Sequence, residues 1–122
     1  MEPVSVATVE RYGWGDGCDG WRLVQGAELS VIQERMPPGT REERHRHAAA
    51  RQFFYVLSGA LTMELEGAVH LLQAGSGVEV PPGVAHQALN QSAADVHFLV
   101  VSTPPTLGDR QPAPRTDGMQ AT

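Results

Sequence analysis

Two stretches decide how this chain folds: Gly39 to Gly59, GTREERHRHAAARQFFYVLSG, and Gly75 to Asn90, GSGVEVPPGVAHQALN. They reduce to Gly39-x5-His45-x-His47-x4-Gln52-x6-Gly59 and Gly75-x5-Pro81-x-Gly83-x2-His86-x3-Asn90. In extended backbone, alternate side chains face the same way, so His45 and His47 point into one cavity. Gln52 and His86 then arrive from neighbouring strands. Neutral imidazole is the commonest protein ligand for first-row transition metals, and the amide oxygen of Gln52 completes a mixed nitrogen and oxygen shell. The pattern therefore implies one divalent transition metal as cofactor, drawn from iron, manganese, nickel, copper or zinc, with His45, His47, Gln52 and His86 as ligands. A lone His-x-His in the charged run Arg41 to His47 would read as a solvated loop. The matching second segment is what turns it into a ligand pair.

Working outward, turn signals recur at close intervals and no helical period is persuasive, which indicates an all-β protein. Val4 to Val9 is rich in β-branched residues and predicts a first strand, followed by a glycine-rich loop from Gly13 to Gly20. Trp21–Val24 and Leu29–Met36 predict the next two strands, the second closed by Pro37-Pro38-Gly39. Phe53–Leu57 turns at Ser58-Gly59 into the alternating Ala60–Glu66, and Glu66-Gly67-Ala68 forms a hairpin tip leading to Val69–Leu72. Val78–Val80, His86–Asn90 and the apolar Val96–Val101 complete the set. Pro81, Gly83 and Gly59 serve to turn the chain so that flanking strands aim at a common centre. Asn90 reads as a turn residue rather than a ligand.

Strand parity sorts the remaining candidates. Counting from an inward Gln52 puts Phe54 and Val56 inside and Tyr55 outside. Glu34 falls inside together with Ile32 and Met36, or outside with the opposite choice, and the sequence leaves both open. Glu34 and Glu79 are the acidic candidates for proton transfer. His70 reads as a surface residue, His97 as a core histidine with a hydrogen-bond partner, and Trp14 and Trp21 as packing against the outer sheet. From Thr103 the chain is rich in proline and short of large apolar groups. That suggests a division into a β-barrel domain, 1–102, and an extended surface tail, 103–122.

Composition limits the function. A length of 122 residues fits one domain with its own core, and 41% hydrophobic with 19% charged residues reads as globular. All nine basic residues are arginine, which excludes a Schiff-base lysine. A net charge of -5 without a clustered basic surface argues against nucleic acid as partner. No apolar run is long enough to span a bilayer and no basic, then apolar, leader opens the chain, so no membrane partner and a cytoplasmic location are expected. Cys18 is the single cysteine and reads as a small packed residue.

The two motifs resemble those of the cupin superfamily, over Gly39 to Asn90. The second segment matches at every signature position, and the first departs only at Gln52, where the family usually has a glutamate. The resemblance implies a single antiparallel double-sheet β-barrel, a jelly roll, that pairs into a homodimer through its edges. It implies a metal-dependent enzyme of dioxygenase-like type acting on a small organic substrate. The alternatives are a non-redox isomerase or cyclase using the metal as Lewis acid, and a non-catalytic small-molecule binding module. An amide in place of the carboxylate leaves the metal complex more positive and weaker.

Overall fold

The computed structural model describes residues 1–115. Eleven strands make up the fold: β1 Arg11–Trp14, β2 Cys18–Gln25, β3 Ser30–Met36, β4 His45–His47, β5 Arg51–Ser58, β6 Ala60–Leu65, β7 Ala68–Gln73, β8 Gly77–Val80, β9 His86–Leu89, β10 Val96–Thr103 and β11 Arg110–Pro112. They form a six-stranded sheet, β1-β2-β3-β10-β5-β8, and a five-stranded sheet, β11-β4-β9-β6-β7. All pairings are antiparallel, and the two sheets face each other as a jelly roll without closing into one continuous barrel.

Alternation sets the core. Phe54 and Val56 of β5, Phe98 and Val96 of β10, Met36 of β3 and Leu61 and Met63 of β6 are buried between the sheets. The outward neighbours Phe53 and Leu57 are exposed, and Tyr55 stacks on Phe53 at 6.1 Å on the outer face, where the parity count placed it. The register of β10 on β3 settles Glu34, which stands opposite the inward Phe98 and therefore points inward too. Gly59 lets β5 turn tightly into β6: its φ is 81°, and a Cβ there would collide with the backbone of Asp95 and Val96.

Three expectations need correcting. Val4–Val9 is not a strand: the Thr8 hydroxyl accepts from Ser5 N–H and donates to Ser5 O in an exposed turn, an alternative that short hydroxyl side chains offer the chain. The predicted loop from Gly13 to Gly20 instead holds the end of β1 and the start of β2, with Gly20 accommodating the Tyr12 ring that lies over it. His97 faces outward and stacks against Trp21 at 6.5 Å, so it is not a core histidine.

The proline-rich segment after Thr103 returns to the fold as far as it is described. β11 pairs with β4, and Ala113 is buried, exchanging backbone and side-chain hydrogen bonds with Arg44. Residues 116–122 of the expected tail lie outside the described residues. No helix of the described residues is long and apolar enough to cross a membrane.

Candidate metal centre

β4 carries His45 and His47 two residues apart, and the intervening Arg46 points away, as alternation requires. β9 brings His86 directly opposite His45 in the same sheet. Gln52 comes from β5 in the facing sheet. The two motifs are tied by backbone bonds: Gly83 N–H donates to His47 O at 2.7 Å, and Gly39 and Asn90 bond across their turns at 2.8 Å. Asn90 has the expected turn role, its amide donating to Met36 O and Ala94 O and its oxygen accepting from Ser92.

One ligand nitrogen from each of His45, His47 and His86 lies within 4.8 Å of the others, all three side chains being buried. The tautomers follow from their partners. Nδ1 of His45 is 2.7 Å from Glu43 O and Nδ1 of His86 is 2.9 Å from Val84 O, so each donates there and leaves Nε2 as a bare lone pair. Nε2 of His86 is buried with no hydrogen-bond partner among the described residues. The same holds for Gln52 Oε1, while Gln52 Nε2 donates to Ser102 Oγ at 3.1 Å, which turns the oxygen toward the cavity. Buried acceptors are ordinarily paired. A convergent set of lone pairs from imidazole and amide fits a borderline transition metal.

The cavity measures about 320 Å³ and is lined by His45, His47, Gln52, Ser102, apolar Ile32, Phe54, Val100 and Leu107, and the charged Glu34, Glu42 and Arg110. Burial, with lesser opposition among the imidazoles and Arg110, pushes His45 down to about 3 and His47 down to about 4, so both rings are neutral at neutral pH and ready to ligate. Burial also lifts Glu34 to about 8, reinforced by the Glu42 charge, and Glu42 to about 7 against a bond from Ala88 N–H. Three of the polar lining residues escaped sequence reading. Glu42 lies outside any strand, Arg110 lay within the expected tail, and Ser102 is recognisable only from its register opposite Gln52. Glu79, the other acidic candidate, pairs with Arg51 on the surface, and His70 is exposed.

An antiparallel jelly roll with three inward histidines on paired strands defines the class: a small β-sandwich with a candidate metal pocket. Residues 32–102 match the cupin domain family, and the chain belongs to it. Among curated relatives it is 36% identical to the β-alanine degradation protein BauB of Pseudomonas aeruginosa, over 62% of this chain and 82% of that one. It is 30% identical to the polyketide synthase protein CurC of Streptomyces cyaneus, over 60% of this chain and 50% of that one. The chain spans about half the length of the Streptomyces relatives it matches. Its fold superposes on the polyketide cyclase RemF of Streptomyces resistomycificus with a TM-score of 0.80, covering 96% of this chain and 88% of that one at 16% identity.

Proposed function

We propose that the chain is a metal-dependent enzyme that binds one divalent transition metal through His45, His47 and His86, with Gln52 as fourth ligand, and uses it without redox chemistry on a small organic substrate. The observation that carries this is the meeting, at one open-mouthed cavity, of buried ligand atoms with two carboxyl groups whose pKa values lie near neutral pH. The metal would act as a Lewis acid, polarising a carbonyl or hydroxyl oxygen of the substrate.

The protein's own groups supply the rest. Glu34 and Glu42 sit close enough to neutrality to give and take a proton at a substrate carbon or oxygen, the requirement for an isomerase or cyclase. A bound cation draws both carboxyls toward ionisation and so shifts them toward the base role. Phe54, Ile32 and Val100 form apolar walls beside the reacting atoms, with Leu107 exposed at the rim. Similarity to CurC and RemF, a polyketide synthase protein and a polyketide cyclase, supports a cyclisation or proton-shift reaction of this kind.

Metal identity and oxygen uptake test the reading. Zinc, nickel or manganese in the purified untagged protein, with no oxygen consumed, is the expected result. Iron with substrate-dependent oxygen consumption would replace it with the dioxygenase-like activity that the motifs also allow.

A further inference from the structure

The rim of the cavity is built by the segment that leaves β10, through Thr106, Leu107, Gly108 and Arg110. β11 pairs with β4 in a register that sets Arg110 opposite His47. Residues directly opposite in an antiparallel pair share a face, so Arg110 rises on the same side as the imidazole. Its neighbour Asp109 anchors the segment, the carboxylate accepting hydrogen bonds from the amides of Ala48 and Ala50 at 2.9 Å and of Ala49 at 3.1 Å. Those amides belong to the link between His47 and Gln52, so the rim is fixed to the motif itself.

Arg110 differs from the arginines that stabilise the fold. Arg35, Arg44 and Arg51 each hold a carboxylate. The hydrogen bond of Arg110 goes to a neutral group, Glu43 O at 3.2 Å, and among the described residues no carboxylate lies within salt-bridge distance of it. It is exposed at the mouth and is the one permanent cation among the described residues lining the cavity. A guanidinium offers a planar fork that matches a carboxylate bidentately. Acidic Glu34 and Glu42 on the wall make a multiply charged group such as phosphate a poorer match than a single carboxylate.

We infer that Arg110 is the substrate-binding residue that selects a small organic acid, holding its carboxylate at the cavity mouth while the other end of the molecule reaches the His45, His47 and His86 cluster. This rests on the metal-centre reading above. The test uses the full chain loaded with Co(II), whose visible absorption reports a ligand entering the metal's coordination sphere. The probes are imidazole and acetate, which need the metal alone, and the dicarboxylates from malonate to adipate, which can reach both points.

In R110Q, the best-bound dicarboxylate is expected to lose about tenfold or more in affinity, the loss of one charge-assisted bidentate contact. Imidazole, acetate and Co(II) content should change by less than about twofold. R110K, keeping the charge but not the fork, should fall between. Equal dicarboxylate affinities in wild type and R110Q would overturn the inference and leave the metal reading intact. Failure of the wild-type chain to load Co(II), or of imidazole to alter its spectrum, would overturn the metal reading and this inference with it.

Discussion

Two buried polar clusters stand back to back on the smaller sheet, and they are built on opposite principles. His45 and His86 are paired across β4 and β9, and His86 stands opposite Leu65, so these side chains face the interior. Arg44 and Glu64 are one residue out of phase and occupy the outer face. There the pairing is complete: Arg44 donates to both oxygens of Glu64 at 2.6 and 3.0 Å, Gly67 N–H adds a third bond at 2.7 Å, and Ala113 O takes the remaining reach of Arg44. Inside, Nε2 of His86 and Oε1 of Gln52 have no hydrogen-bond partner among the described residues. A satisfied polar cluster holds the chain together, whereas an unsatisfied one costs stability and fits the metal site proposed above.

The same substitution in the two places should break the symmetry most visibly. Glu64→Leu strands a buried guanidinium and releases the segment around Ala113, at a cost of about 3–5 kcal/mol, or a melting temperature lower by roughly 10–20 °C. His47→Leu removes a ring whose Nδ1 has no hydrogen-bond partner among the described residues, and should alter the stability of the metal-free chain by less than about 1 kcal/mol. Thermal unfolding of both variants after chelation checks the contrast. Similar losses in the two would mean that the inner cluster is structural as well.

Gln52→Glu probes the inner cluster alone. An anionic oxygen in place of the amide gains direct attraction to a cation, so competition titration should give at least about tenfold tighter metal binding. Unchanged affinity would put Gln52 outside the ligand set.

Acid separates the clusters by pH window. Burial depresses His45 and His47, so the unfolded chain takes up protons from about pH 6.5 downward while the native cluster refuses them until about 4. The imidazole contribution to metal-free stability is thus full above that range and falls within it, while Glu34 and Glu42, lifted to about 8 and 7, act in the opposite sense and favour the native state as pH falls toward the ordinary carboxyl range. Burial of Glu64 opposes its ionisation, but the bonds from Arg44 and Gly67 win and hold its carboxyl below the ordinary value of about 4.3. Its contribution is present above that value and is lost only as pH falls through the depressed one. The imidazole part is therefore read as a difference: between about pH 6.5 and 4 the melting temperature of chelated wild type should lose ground to that of His47→Leu as pH falls, and parallel curves would contradict it.

The legible and illegible parts of the molecule divide along the same line. His45, His47, His86 and Gln52 could be read because period-two alternation and turn residues are local properties, and Phe54, Val56 and Tyr55 followed from the same count. Glu34 had two parities open until its pairing with Phe98 was known, since nothing local says which face of β3 is inner. Arg110 lies in a stretch with little strand propensity, and β11 exists because the edge of β4 offers unpaired backbone and Asp109 and Ala113 fasten the ends. The Val4–Val9 segment failed for the reverse reason: its strong β propensity lost to local bonds among Ser5, Ala7 and Thr8.

The central claim is that the inner cluster is a metal site, and metal content measures it most directly. Untagged protein loaded with zinc and passed through a desalting column should retain about one ion per chain, and the His45→Ala, His47→Ala double variant, still folded by circular dichroism, should retain essentially none. Stoichiometric zinc in the double variant, or none in the folded wild type, would contradict the account.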